Sequence, residues 1–125
     1  MGIKLIKIAA IYFLLAIILG MFMSITHKFD YAPSHAHIAL LGWASLALAG
    51  IIYVLFPKAE HNRLGKGHFW FHNIGLPIMM IGLLALEGGV PTAEPVIAIG
   101  ATITSIGILL FVINVLQNVT TFGRR

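Results

Sequence analysis

The sequence predicts an all-α integral membrane protein, a bundle of four transmembrane helices. Three observations predict it. Of the 125 residues, 59% are hydrophobic and only 10% are charged, against roughly 25% charged in a soluble domain. Four stretches, at about 3–25, 35–56, 69–87 and 96–117, approach the ~20 apolar residues that a helix needs to cross a bilayer. The connections at 24–34, 57–68 and 88–95 are short, so neighbouring helices form antiparallel hairpins within a single domain spanning 1–125.

In the first helix, Lys4 and Lys7 precede an apolar run, as at the start of a signal peptide. The run is long, however, and no small-x-small cleavage pattern follows "GMFMSIT", so it reads as a retained span. The second helix opens at "PSHAH": Pro33 breaks the preceding chain, Ser34 is a good N-cap, and His35 and His37 fall in the first turn. The third opens at "HFWFHNIGLP", where Asn73 and Pro77 mark a polar, bent entry. Asn114, Gln117 and Asn118 supply interhelical or interfacial hydrogen bonds at the inner end of the fourth.

The formal net charge is +4, and its placement is a topology signal rather than a nucleic-acid footprint. Lys4, Lys7, Lys58, Arg63, Lys66, Arg124 and Arg125 fall on one side of a four-helix chain and only Lys28 on the other. By the positive-inside rule both termini are cytoplasmic, and 24–34 and 88–95 face outward. Cysteine is absent, which excludes disulfides, thiolate metal sites and iron–sulfur clusters within the chain.

Ionisable residues inside a membrane are costly and mark function, so the histidines are the informative positions. His27, His61 and His68 lie in or beside loops, where solvated or headgroup-level side chains are expected. His72 sits beside Phe69, Trp70 and Phe71 and reads as part of an aromatic belt; with His68 at i,i+4 it also offers a weak cytoplasmic-side metal site. His35 and His37, two apart, point about 200° from one another on a helix, so they face different neighbours. Two roles fit them: hydrogen bonding to headgroups or loop carbonyls, and ligation of a metal or haem iron by neutral imidazole. Glu87 ends the third helix on the same side, where its carboxylate is placed to accept a second imidazole N–H. Met21, Met23 and His27 close the first helix there, and with His35 and His37 they form a soft donor set suited to Cu(I).

"SHAHIALLGWASLALAGIIYVLFP" followed by "FWFHNIGLPIMMIGL" resembles the small four-helix proteins described as haem-copper oxidase (cytochrome c oxidase) subunit I-like. The likeness covers about 34–118, and the H-x-H start is its most specific part. The resemblance implies a fold corresponding to one third of subunit I, a homotrimer that mimics the whole, and b-type haem held by His37 of one protomer and His35 of the next. It further implies a bacterial inner-membrane location, electron transfer or gas and redox sensing, and a redox partner in a respiratory chain. The chain has no His-His dipeptide, and a symmetric trimer makes its sites identical, so terminal oxidase activity is not expected. Two other readings remain open from the residues: copper handling at the outer Met21, Met23, His27, His35 and His37 set, and a cofactor-free assembly partner of a respiratory complex.

Overall fold

A computed structural model describes residues 1–121. Arg124 and Arg125, two of the charges used above, lie outside the described residues. Four helices are long and apolar enough to cross a membrane: Gly2–Thr26, Phe29–Leu55, Arg63–Glu87 and Pro91–Asn118, referred to as the first to fourth spans. The chain is therefore described as a helical membrane protein.

The first span is α-helical throughout and ends on His27 in the left-handed region, at φ 57°. The second is composite. A 3-10 turn at Phe29–Tyr31 leads into an α-helical segment Ala32–His37, a π-helix Ile38–Ala44 and a further α-helix Ser45–Leu55. Pro33 thus lies in the first helical turn, where its missing N–H is harmless. The cap position belongs to Tyr31, not to Ser34 as the sequence suggested. In the π-helix the Ser45 N–H reaches back to the Leu40 carbonyl, five residues away, and the Ser45 hydroxyl donates to the same oxygen at 2.7 Å.

A short helix, Pro57–Glu60, crosses the connection to the third span. That span begins at Arg63, six residues earlier than expected, because Asn62 caps it: the Asn62 Oδ1 accepts from the Gly65 N–H at 2.7 Å. The helix continues through Pro77. The fourth span opens with a 3-10 turn, Pro91–Ala93, and carries Glu94 in the first turn of its α-helix, where a negative charge complements the helix dipole.

Small residues let the hairpins close, as membrane helices require when no hydrophobic force acts between them. The first and second spans touch through backbone at Gly2 and Gly50, since a Cβ on either would lie 2.7 Å from the carbonyl of the other. The third and fourth spans touch at Gly75, Gly100 and Gly107; a Cβ on Gly107 would lie 2.9 Å from the His72 nitrogen. One buried cluster gathers Leu5, Ala9, Leu46, Ala49, Tyr53 and Ala59 near the end that holds the 56–62 connection. A second gathers Ala16, Ile38, Leu76, Met79 and Met80 towards the other end. Outside these, Ile11, Leu14, Ile18, Leu109 and Leu116 are exposed, a surface suited to lipid.

The connection end is also tied by polar groups. The buried Asn114 amide donates to the Ala59 carbonyl at 2.8 Å, while its oxygen accepts from Asn62 at 2.9 Å and Asn118 at 2.8 Å. Glu60 accepts from the Gly2 N–H at 2.6 Å and pairs with the Met1 amino group at 2.8 Å. Burial works against ionisation of Glu60, but those partners prevail and hold its carboxyl below the usual carboxylate range.

Candidate functional site

The turn that carries His35 and His37 is anchored from the third span. Ser34, fully buried, donates its backbone N–H to Glu87 Oε2 at 3.1 Å and its hydroxyl to Glu87 Oε1. Both carboxylate oxygens are thereby engaged. The expectation that Glu87 accepts from an imidazole is corrected: it holds the histidine-bearing turn through Ser34, and backbone carbonyls take the imidazole protons.

His35, half-buried, turns towards the first span, where its Nδ1–H donates to the Ala16 carbonyl at 3.0 Å. Gly20 makes room for the ring, because a Cβ there would lie 3.0 Å from His35 Cε1. His37 is exposed and donates Nδ1–H to the Pro33 carbonyl, four residues back, at 2.7 Å. The two rings face different neighbours, as a two-residue spacing on a helix dictates. A carbonyl can only accept, so each neutral ring carries its proton on Nδ1 and keeps a lone pair on Nε2. The Nε2 of His37 has no hydrogen-bond partner among the described residues. His37 lines a mostly apolar groove of about 340 Å³ with Leu41, Met79, Thr104, Ser105 and Ile108.

The two thioethers of the candidate copper set point in different directions. Met21 is 59% exposed and Met23 only 7% exposed, on opposite sides of one helix. His27 closes the helix and contacts the Phe29 ring at 6.0 Å between centroids. Among the described residues, no three His, Cys, Asp or Glu side chains are grouped to hold a metal ion.

His68 and His72 are where the sequence reading changes most. Neither is a loop or belt side chain: they are 1% and 0% exposed, in the interior of the bundle. Tyr53, also 0% exposed, lies 2.7 Å from His68 Nδ1; His68 Nε2 lies 3.0 Å from His72 Nδ1; His72 Nε2 lies 2.9 Å from the Leu41 carbonyl. The order of protons follows from the last contact. Leu41 O accepts, so His72 donates from Nε2 and, being neutral, accepts at Nδ1. His68 therefore donates from Nε2 and accepts at Nδ1, and the Tyr53 O–H is its donor. Each nitrogen of the pair is spent on a hydrogen bond.

The π-helix sets the end of this chain. Its register sends the Ser45 N–H to Leu40, bypassing the Leu41 carbonyl, which receives His72 from the third span. Such wide turns recur at functional sites. The i,i+4 spacing of the histidines was visible in the sequence, but Tyr53, fifteen residues before His68, carried no local sign of its role.

Fold and site together define a four-span helical membrane protein with an open imidazole near one end and a buried Tyr–His–His chain in its interior. No protein-family model, curated protein or solved structure matches the chain.

Proposed function

We propose that the protein binds a b-type haem through His37 and relays single electrons within the membrane. The observation that carries this reading is the state of the His37 ring. Its Nδ1–H is fixed by the Pro33 carbonyl while Nε2 is unpartnered beside an apolar groove. Metal-ligating histidines hold the second ring nitrogen on a carbonyl or carboxylate in this way, so the residues present fit the group. A bound haem would supply one-electron chemistry; the chain's part is to orient the ligand and to exclude water with Leu41, Met79 and Ile108.

One chain brings one such imidazole to the groove, because His35 is directed at the first span. A second histidine on the group would have to come from a second copy, and by the resemblance to haem-copper oxidase subunit I we assign that role to His35 of a neighbouring protomer in a homotrimer. A haem held by histidines from two protomers would supply electron transfer rather than oxidase chemistry. The charges Lys4, Lys7, Lys58, Arg63 and Lys66, gathered at one end, support a cytoplasmic orientation of that end by the positive-inside rule; with the bacterial inner membrane that the resemblance implies, His37 would then lie near the outer face.

The test is the visible spectrum of protein purified from cells supplied with haem, compared among wild type, His37→Ala, His35→Ala and His61→Ala. The expected outcome is loss of colour in His37→Ala, loss or a five-coordinate spectrum in His35→Ala, and no change in His61→Ala. An unchanged His37→Ala spectrum overturns the assignment.

A further inference from the structure

The Tyr53–His68–His72 chain plays no part in holding a ligand at His37, yet it is the most buried polar feature of the third span. Membrane interiors admit such groups at a cost that function has to repay. The asparagine cluster lies towards the connection between the second and third spans, where Asn114 accepts from half-exposed Asn62 and donates to the Ala59 carbonyl, and Tyr53 shares a buried cluster with Ala59. At the far end stands Leu41, whose residue also lines the His37 groove. A hydrogen-bonded chain thus leads from Tyr53, beside the connection, through two rings of fixed proton order, to the wall of the proposed haem site.

We propose that Tyr53, His68 and His72 form a one-proton relay that takes a proton from the loop side and holds it on His72. A proton arriving at the Tyr53 oxygen displaces the hydroxyl proton onto His68 Nδ1. His68 releases its Nε2 proton to His72 Nδ1 and remains neutral in the opposite tautomer. His72 becomes an imidazolium that donates Nδ1–H to His68 Nε2 and Nε2–H to the Leu41 carbonyl. Tyr53 stays a neutral phenol and accepts from His68 Nδ1–H. One proton enters, one positive charge resides on His72, and every bond along the path is kept with its direction reversed, save the last, in which His72 still donates to Leu41.

The groups facing the two rings are few. Tyr53 comes from the second span, Phe111 from the fourth packs on His68 at 4.8 Å between centroids, and the rings face one another at 5.2 Å. No carboxylate or ammonium group is in hydrogen-bond or ion-pair contact with either ring among the described residues, so no fixed charge competes for the proton. A negative charge arriving in the His37 groove would be offset by this proton; that coupling rests on the haem reading, whereas the relay does not.

Nitrogen-15 NMR of histidine-labelled protein in lipid bilayers tests the relay without any bound haem. At high pH the proposal requires His68 and His72 as Nε2–H tautomers, against Nδ1–H for His35 and His37. On acidification His72 should become doubly protonated while His68 switches to the Nδ1–H tautomer in the same step. Tyr53→Phe, which removes the entry group, should slow proton exchange at His72 at least tenfold, and His68→Gln should abolish the coupled change. Protonation of His72 with His68 left in its original tautomer overturns the proposal, as does a His72 that stays neutral throughout the pH range in which the protein is folded. A haem spectrum that fails while the tautomer switch succeeds would refute the reading of His37 alone.

Discussion

Replacing Gly100 by Ala should separate the third and fourth spans and be far more damaging than the same change at Gly67. A Cβ on Gly100 would collide with the Met79 nitrogen and lie 2.6 Å from its Cα and 2.8 Å from its Cβ. Carbon atoms pack at about 3.5–4.0 Å, so the two helices must part by about 1 Å, and main-chain atoms cannot rotate away. The same face is clamped at Gly75 and Gly107, so the displacement also strains the contact at His72. Overpacking of this kind costs about 1–3 kcal/mol, and a backbone collision belongs at the upper end, near 3 kcal/mol. At Gly67 the added carbon meets Leu110 Cδ1 at 2.7 Å and little else. That methyl can swing aside, and Ala is the better helix former by up to about 1 kcal/mol, so Gly67→Ala should be neutral within about 1 kcal/mol. Reversible unfolding in mixed micelles, followed by helical circular dichroism, measures both variants against wild type. Equal stability of the two variants would refute the packing argument.

Glu87→Gln replaces one of the two oxygens that receive Ser34 with a donor, so it should cost about 1–3 kcal/mol in the same unfolding assay and loosen the turn bearing His35 and His37; adding Ser34→Ala to the Glu87→Gln variant should cost little further. Asn114→Leu removes its bonds to Ala59, Asn62 and Asn118. Interhelical hydrogen bonds in membranes average about 0.6 kcal/mol and reach about 1.7, so a loss of about 1–3 kcal/mol is expected, together with faster amide exchange in the 56–62 connection. Glu60 gives a pH signature. Its folded carboxyl titrates below the unfolded value of about 4.3, so its contribution is present above that value and lost as pH falls through the folded pKa. The stability difference between wild type and Glu60→Gln should therefore shrink as pH is lowered from about 5 to about 3, and a difference that grows would contradict the sign.

The four spans were legible because each is a long apolar run, and nothing local competes with that signal. Their edges were less so. The third span starts at Arg63 because Asn62 caps it, but Arg63, Lys66 and His68 lower the hydropathy there and gave the stretch the appearance of a loop. In the second span the π-helix left no trace, since Ile38 to Ala44 are apolar residues that suit an ordinary α-helix equally well; its register is set against neighbouring spans. The divergence of His35 and His37 followed from helical geometry alone. What could not be read was which partner each side chain finds: Glu87 was placed at the correct end but assigned to an imidazole rather than to Ser34. His68 and His72 were discounted as interfacial because helix burial depends on how the hairpins pack. An i,i+4 histidine pair following a span that carries a tyrosine was the available hint, and it acquires meaning only once the second and third spans are side by side.

The central claim is that the unpartnered His37 Nε2 holds a haem whose iron is filled on both sides. Its most direct test is the dithionite-reduced spectrum of the purified wild-type protein, with and without carbon monoxide, and with iron and copper assayed on the same sample. The account predicts sharp reduced bands that carbon monoxide leaves unchanged, and iron without copper. A colourless protein that carries copper would contradict it.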